Sequence, residues 1–121
     1  MNSTIELLHE HGICVVIPTY NNCGTLANVI DRTLAMCADV IVVNDGSTDD
    51  TAMILSGYED RITVVSCERN AGKGSALKAG FRKAIEMGYV YAITLDADGQ
   101  HFPEDMPVLL KANMENPSAL I

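Results

Sequence analysis

Ile13-Cys14-Val15-Val16-Ile17-Pro18-Thr19 and Val40-Ile41-Val42-Val43-Asn44-Asp45-Gly46 are the stretches that decide the fold. Each begins as a β-branched run without polar alternation and closes on structure-breaking residues, Pro18 in the first and Asn44-Asp45-Gly46 in the second. A strand apolar on both sides is buried on both sides, which favours parallel pairing over a sheet with one wet face. Ile62-Thr63-Val64-Val65 and Tyr89-Val90-Tyr91-Ala92-Ile93-Thr94-Leu95 add two runs of the same kind, so the sheet has at least four strands.

Helical patterns separate the runs. Leu26, Val29, Ile30, Thr33 and Leu34 share one helix face, and Leu77, Phe81 and Ile85 fall four apart as the core-facing stripe of another. Ser47 and Thr48, followed by Asp49-Asp50, supply a side-chain cap and negative charge for a short helix over 51–55. Gly88 ends the helix before the fourth strand, Pro103 with Glu104-Asp105 opens a further one, and Ala119-Leu120-Ile121 reads as the start of a fifth strand. Alternating β and α elements with short links predict an α/β fold: an open, mostly parallel sheet with right-handed crossovers and helices on both faces.

The chain has 121 residues, enough for one core and not two. Residues 1–12 form a polar N-terminal arm that includes His9 and His11, and 13–121 form the domain. Sixteen acidic against eight basic residues give a net charge of −8, which opposes a sequence-independent grip on nucleic acid or on an anionic membrane surface. An anionic ligand therefore needs a local cation. No apolar run approaches the roughly 20 residues of a membrane-spanning helix, and residues 1–12 do not read as a secretory leader, so the expected location is cytoplasmic. Cys14, Cys23, Cys37 and Cys67 show no C-x-x-C spacing and read as reduced, mostly buried thiols.

In an open parallel sheet, ligands sit beyond the carboxyl ends of the strands. Polar residues collect after each run: Pro18-Thr19-Tyr20-Asn21-Asn22, Asn44-Asp45-Gly46-Ser47, Glu68-Arg69-Asn70-Ala71-Gly72-Lys73-Gly74 and Asp96-Ala97-Asp98-Gly99-Gln100. Asp96 and Asp98 alternate on an extended strand exit, so both carboxylates can face one hard cation, magnesium or manganese, and Gln100 continues the spacing with a neutral oxygen. Asp45 has two readings: an acceptor for ring N–H groups of a ligand, or a carboxylate tied up by its turn and the next helix N-terminus. Asn70 to Gly74 put backbone N–H groups and the Lys73 ammonium near a helix start, a setting for phosphate.

Familiar phosphate and calcium loops do not fit. Cys67 and Gly74 stand where a Walker A loop needs Gly and Ser or Thr, and Gly72-x-Gly74 follows the third strand with Leu77 in the last position of a dinucleotide fingerprint. His101 occupies the place of the calcium-loop glycine and is otherwise unassigned. Lys78, Arg82 and Lys83 read as a solvated helix face.

Taken in order, Val16-Ile17-Pro18-Thr19-Tyr20-Asn21, Val42 to Asp49, Asn70-Ala71-Gly72-Lys73-Gly74 and Leu95-Asp96-Ala97-Asp98-Gly99-Gln100-His101 resemble family 2 of the nucleotide-sugar glycosyltransferases. The forms Gly72-Lys73-Gly74-Ser75-Ala76-Leu77 and Asp96 to His101 look most like its polyprenyl-phosphate branch, from which Asn22 departs where Glu often follows Tyr-Asn. The resemblance implies a GT-A fold, of which this chain is the N-terminal, donor-binding part, and inverting transfer from a UDP- or GDP-sugar to a polyprenyl phosphate or a glycan. It implies that Asp45 contacts the base, that Pro18, Thr19, Tyr20 and Asn21 line the base and ribose pocket, and that Gly46, Asn70, Gly72 and Ala97 belong to the same site. Asp96, Asp98 and Gln100 would hold Mg²⁺ or Mn²⁺ on the diphosphate, with Arg69 and Lys73 as further diphosphate contacts. The catalytic base is expected beyond Ile121, and the whole protein is expected to lie peripherally at the inner face of the membrane.

Two alternatives stand beside it. One is a donor-binding module without turnover, whose exposed sheet edge would make the chain marginal or self-associating. The other is a magnesium-dependent haloacid-dehalogenase-like phosphatase, against which Gln100 and the place of the D-x-D motif after the fourth strand both count.

Overall fold

The computed structural model describes residues 3–97, with side chains from residue 5 onward. Eight elements follow in order: α1 (Ser3–Glu10), β1 (Ile13–Thr19), α2 (Leu26–Leu34), β2 (Val40–Asp45), α3 (Thr51–Ser56), β3 (Thr63–Cys67), α4 (Lys73–Glu86) and β4 (Tyr91–Thr94). The strands form one parallel sheet in the order β3-β2-β1-β4. All residues of β1 and β2 are buried, as their continuous apolar runs predict, because these are the two inner strands. β3 is only half-buried, with Ser66 exposed, in keeping with its place at an edge.

Residues of β1 alternate between two cores. Ile13, Val15 and Ile17 pack with Leu8 of α1, Leu26 and Ile30 of α2 and Leu55 of α3, while Cys14 and Val16 pack with Ala76 and Ala84 of α4. Helices therefore cover both faces. The stretch expected as a polar arm forms α1, and Leu8 anchors it at 0% exposure.

Three local expectations change. β1 runs through Pro18 to Thr19 instead of stopping at the proline. Its ladder with β4 ends at Val16↔Thr94, so Pro18 lies where β1 is paired by register only to β2, and a missing N–H is tolerated there. In α4 the residues turned fully to the sheet are Ala76, Gly80 and Ala84, not Leu77, Phe81 and Ile85. A Cβ on Gly80 would lie 2.5 Å from Val16 Cγ1 and 3.1 Å from Val43 Cγ2, so the β-branched side chains of the sheet fill the space and the helix must offer small residues. Leu77 and Phe81 flank this contact half-buried, and Ile85 is 75% exposed. Ahead of α3, neither Ser47 nor Thr48 caps the helix. Asp49 Oδ1 accepts the Thr51 N–H at 2.9 Å and the Thr51 hydroxyl, while Ser47 Oγ accepts the N–H of Asn21 at 3.0 Å.

All four cysteines are free thiols, two buried and two half-buried. Burial pushes Cys14 up to about 12 and Cys37 up to about 11, so both stay protonated. No helix among the described residues is long and apolar enough to cross a membrane. The further helix expected from Pro103 and the strand at 119–121 lie outside the described residues.

Candidate functional site

Because all four strands point the same way, the segments after them meet at one rim, around a cleft of about 420 Å³. Pro18, Thr19 and Tyr20 form one wall and Asp45, Asn70 and Lys73 another, with Asp96 and Ala97 entering from the end of β4. Tyr20 is 45% exposed, an aromatic ring at the mouth of a polar cleft.

Asp45 organises the second wall. Its residue is 3% exposed, and its carboxylate accepts the Ala71 N–H on Oδ1 at 3.1 Å and, on Oδ2, the Asn70 side-chain amide at 3.0 Å and the Gly72 N–H at 3.1 Å. A carboxylate has about four acceptor sites, so three are used by this loop. The internal contacts that the sequence allowed for Asp45 are present, with the difference that the donors precede α4 and not the helix that follows Asp45, and one acceptor position remains for a ligand. The same contacts narrow the glycine loop as a setting for phosphate: the amides of Ala71 and Gly72 are donated to Asp45. Gly46 makes this approach feasible, since with φ of 71° a Cβ there would fall 2.3 Å from the Asn70 nitrogen.

Lys73, the first residue of α4, turns its ammonium into the cleft and pairs with Asp96 Oδ1. Asp96 is itself bracketed by fixed neighbours. The Leu95 N–H donates to Val16 O at 3.1 Å, and the Thr25 hydroxyl donates to Ala97 O at 2.6 Å.

The first wall is held by side chains that act from within the loop after β1 and from the loop after β2. Asn22 Oδ1 accepts the Tyr20 N–H at 3.1 Å and the Thr19 hydroxyl at 3.0 Å, reaching back along the chain to hold the loop in place. Asn21 has φ of 52°, and its Oδ1 accepts the Thr48 N–H at 2.8 Å, so it ties the loop after β1 to the loop after β2. Asp49 Oδ2 accepts the Cys23 N–H at 3.2 Å, a second tie between those loops. The Thr51 hydroxyl, donating to Asp49, holds that carboxyl at about 2, below its ordinary 3.8. Asn21, Gly46 and Gly72 thus shape the site from behind. Arg69 is exposed and is not among the cleft-lining residues; its backbone packs on Gly46.

Asp98 and Gln100 lie outside the described residues, and among the described ones no three His, Cys, Asp or Glu side chains cluster as a metal site. Asp96 fits a hard cation as far as one ligand can: it offers a carboxylate oxygen to the cleft, and a positive group, the Lys73 ammonium, already stands against it.

A parallel sheet with a polar cleft at its carboxyl ends, walled by an aromatic, an aspartate and an ion pair, has the layout of a nucleotide-binding α/β protein. The sequence pattern of Glycosyl transferase family 2 matches residues 14–121, and the chain belongs to that family. It is 43% identical over 109 residues to the undecaprenyl-phosphate 4-deoxy-4-formamido-L-arabinose transferase of Pectobacterium carotovorum, covering 82% of this chain and 32% of that protein. It is 38% identical over 104 residues to the polyprenol monophosphomannose synthase of Mycolicibacterium smegmatis, covering 81% of this chain and 39% of that one. The chain thus spans about a third of the length of these relatives. Among solved structures, S. aureus TarS 1–349 in complex with UDP-GlcNAc superposes with a TM-score of 0.67 at 23% identity, over 85% of this chain and 31% of that one, and so shares the fold. The GT-A architecture expected from the motifs is the one found.

Proposed function

We propose that this chain is the donor-binding part of an inverting glycosyltransferase that takes a UDP- or GDP-sugar and delivers the sugar to a lipid-linked acceptor, a polyprenyl phosphate. The observation that carries the reading is the convergence of Pro18-Thr19-Tyr20, Asp45, Lys73 and Asp96 on one cleft at the carboxyl ends of the sheet. The names of the relatives, two transferases or synthases of polyprenyl-phosphate sugars, favour that acceptor over a glycan. A lipid-phosphate acceptor would bring the whole protein to a membrane surface, and we place it peripherally at the inner face. Family membership favours transfer over the haloacid-dehalogenase-like phosphatase alternative.

In this reading, Tyr20 and Pro18 flank the base and ribose, and Asp45, with one acceptor position left, takes a ring N–H of the base. Asp96, Asp98 and Gln100 would hold Mg²⁺ or Mn²⁺, which, when bound, supplies Lewis-acid stabilisation to the departing diphosphate. Lys73 adds positive charge beside that diphosphate. An acceptor oxygen forms the new bond to the anomeric carbon on the face opposite the breaking bond, and the diphosphate leaves with the electron pair.

Calorimetric titration of UDP, GDP and their sugar conjugates, with Mn²⁺ or Mg²⁺ and again with chelator, tests this directly. Binding of one nucleotide that metal strengthens, and that falls in Asp98→Ala to the level found with chelator, is expected and names the base. Failure of a folded chain to bind any of them would sink the reading. Binding without donor hydrolysis or transfer would favour the donor-binding module.

A further inference from the structure

Two groups of donors at the entrance to α4 are engaged by carboxylates of the chain itself. Asp45 takes the amides of Ala71 and Gly72, and Asp96 takes the ammonium of Lys73. The Asp45 pairing is buried and the Lys73–Asp96 pairing partly exposed, but the backbone on both sides of each is held. The Asp45 contacts fix the backbone immediately before Lys73, with Gly72 at φ of 98°, and so set where the lysine side chain starts. Val16 O and Thr25 Oγ1 hold Leu95 and Ala97 on either side of Asp96. Among the described residues that line the cleft, Lys73 is the one cation, and in a chain of net charge −8 it is the local positive charge an anionic ligand requires.

We propose that Asp96 is an intramolecular competitor for Lys73. An incoming diphosphate and the Asp96 carboxylate compete for the charge and N–H donors of one ammonium, so the cleft grips a nucleotide diphosphate weakly for as long as Asp96 remains on the lysine. The inference rests on the donor-binding reading above and assigns Asp96 a second role within it: besides any ligand function, it withholds the lysine. The side chains are 61% exposed for Lys73 and 24% for Asp96, so the competition is that of a partly exposed ion pair, about fivefold in affinity at the upper end of such pairs.

The test is a double-mutant cycle on UDP binding in the presence of chelator, with inorganic pyrophosphate as the base-free probe. Asp96→Asn should bind both probes about fivefold more tightly than the unmodified chain, the opposite of what loss of a binding residue gives. The gain should vanish when Asp96→Asn is made in a Lys73→Met background, because no lysine is then left to release. A gain that persists in that background would show simple repulsion between Asp96 and the diphosphate and would overturn the proposal. No gain, from a chain that binds UDP when Mg²⁺ is added, would overturn it too. A chain that binds neither probe with or without Mg²⁺ would remove the donor-binding reading and this inference with it. Thermal melts of each variant, with Asp96→Ser as a second replacement, separate these outcomes from misfolding.

Discussion

At the carboxyl end of the sheet Asp45 receives three N–H donors from one loop, two of them main chain, whereas at the amino end Asp39 receives a phenol and an imidazole from two different elements. The Tyr89 hydroxyl donates to Asp39 Oδ1 at 2.8 Å and His9 Nδ1 lies 3.1 Å from Oδ2, while the Asp39 carbonyl takes the Val15 N–H at 2.9 Å. Main-chain donors converging on one carboxylate fix the path of a backbone, and that path is the wall of the cleft. Side-chain donors fasten one segment to another, and the cleft beside them, about 220 Å³ and lined by Asp39, Asp60, Arg61 and Tyr89, is about half the size. Burial, with the Asp39 hydrogen bond second, pushes the Tyr89 phenol well above its ordinary range, so it remains a donor throughout. The larger cleft is walled by a backbone whose path is fixed, and the smaller one by side chains that tie segments together.

The harshest way to break the comparison is at Gly46. Alanine there must adopt φ of 71° with its Cβ 2.3 Å from the Asn70 nitrogen and 2.5 Å from the Arg69 carbonyl carbon. Left-handed strain of about 1–2 kcal/mol adds to an overpacking cost of about 1–3, so urea denaturation of Gly46→Ala should show a loss of about 4 kcal/mol. A loss under about 1 kcal/mol would mean that the loop over residues 69–72 does not rest on Gly46. Asp45→Ala should cost less, about 3 kcal/mol, since water can replace part of three charge-assisted bonds. It should also abolish UDP binding, because the wall loses its anchor.

Tyr89→Phe sharpens the contrast. It removes one hydrogen bond at the amino end and should cost about 1 kcal/mol in the same denaturation experiment while leaving the Kd for UDP unchanged. A change in Kd would show that the two ends are coupled through the sheet.

The same contrast explains what the sequence made legible. β1 and β2 could be read because burial on both sides writes itself as unbroken β-branched runs, and the polar segments after them could be placed on one rim because parallel strands share a direction. Tyr20, Asp45, Lys73 and Asp96 line the cleft as their positions suggested. What could not be read were the partners. Thr25 holds the Ala97 carbonyl from 72 positions away, and Asp45 holds a loop 25 to 27 positions on; no local pattern encodes either distance. The face of α4 was misjudged for a packing reason: periodicity favours large apolar residues, but the crowded valines of β1 and β2 admit only Ala76, Gly80 and Ala84. Within residues 1–12 the buried anchor of α1 is Leu8, with Leu7 packed half-buried beside it, too little to stand out against polar neighbours.

Asp49 gives the mildest test, at the seam between the loops after β1 and β2. Its carboxyl is held at about 2, first by the Thr51 hydroxyl and further by the Thr51 and Cys23 amides, against an ordinary value of 3.8. A folded value below the unfolded one means that the ionised group contributes stability in full above about pH 4 and loses it as the pH falls toward 2. Asp49→Asn keeps the shape but has no charge to lose, so its Tm should fall less steeply than that of the unmodified chain between pH 4 and pH 2, with the two curves parallel above pH 5. Identical slopes would mean that Asp49 gains nothing from its donors, and that Asn21, through its bond to the Thr48 amide, joins the two loops by itself.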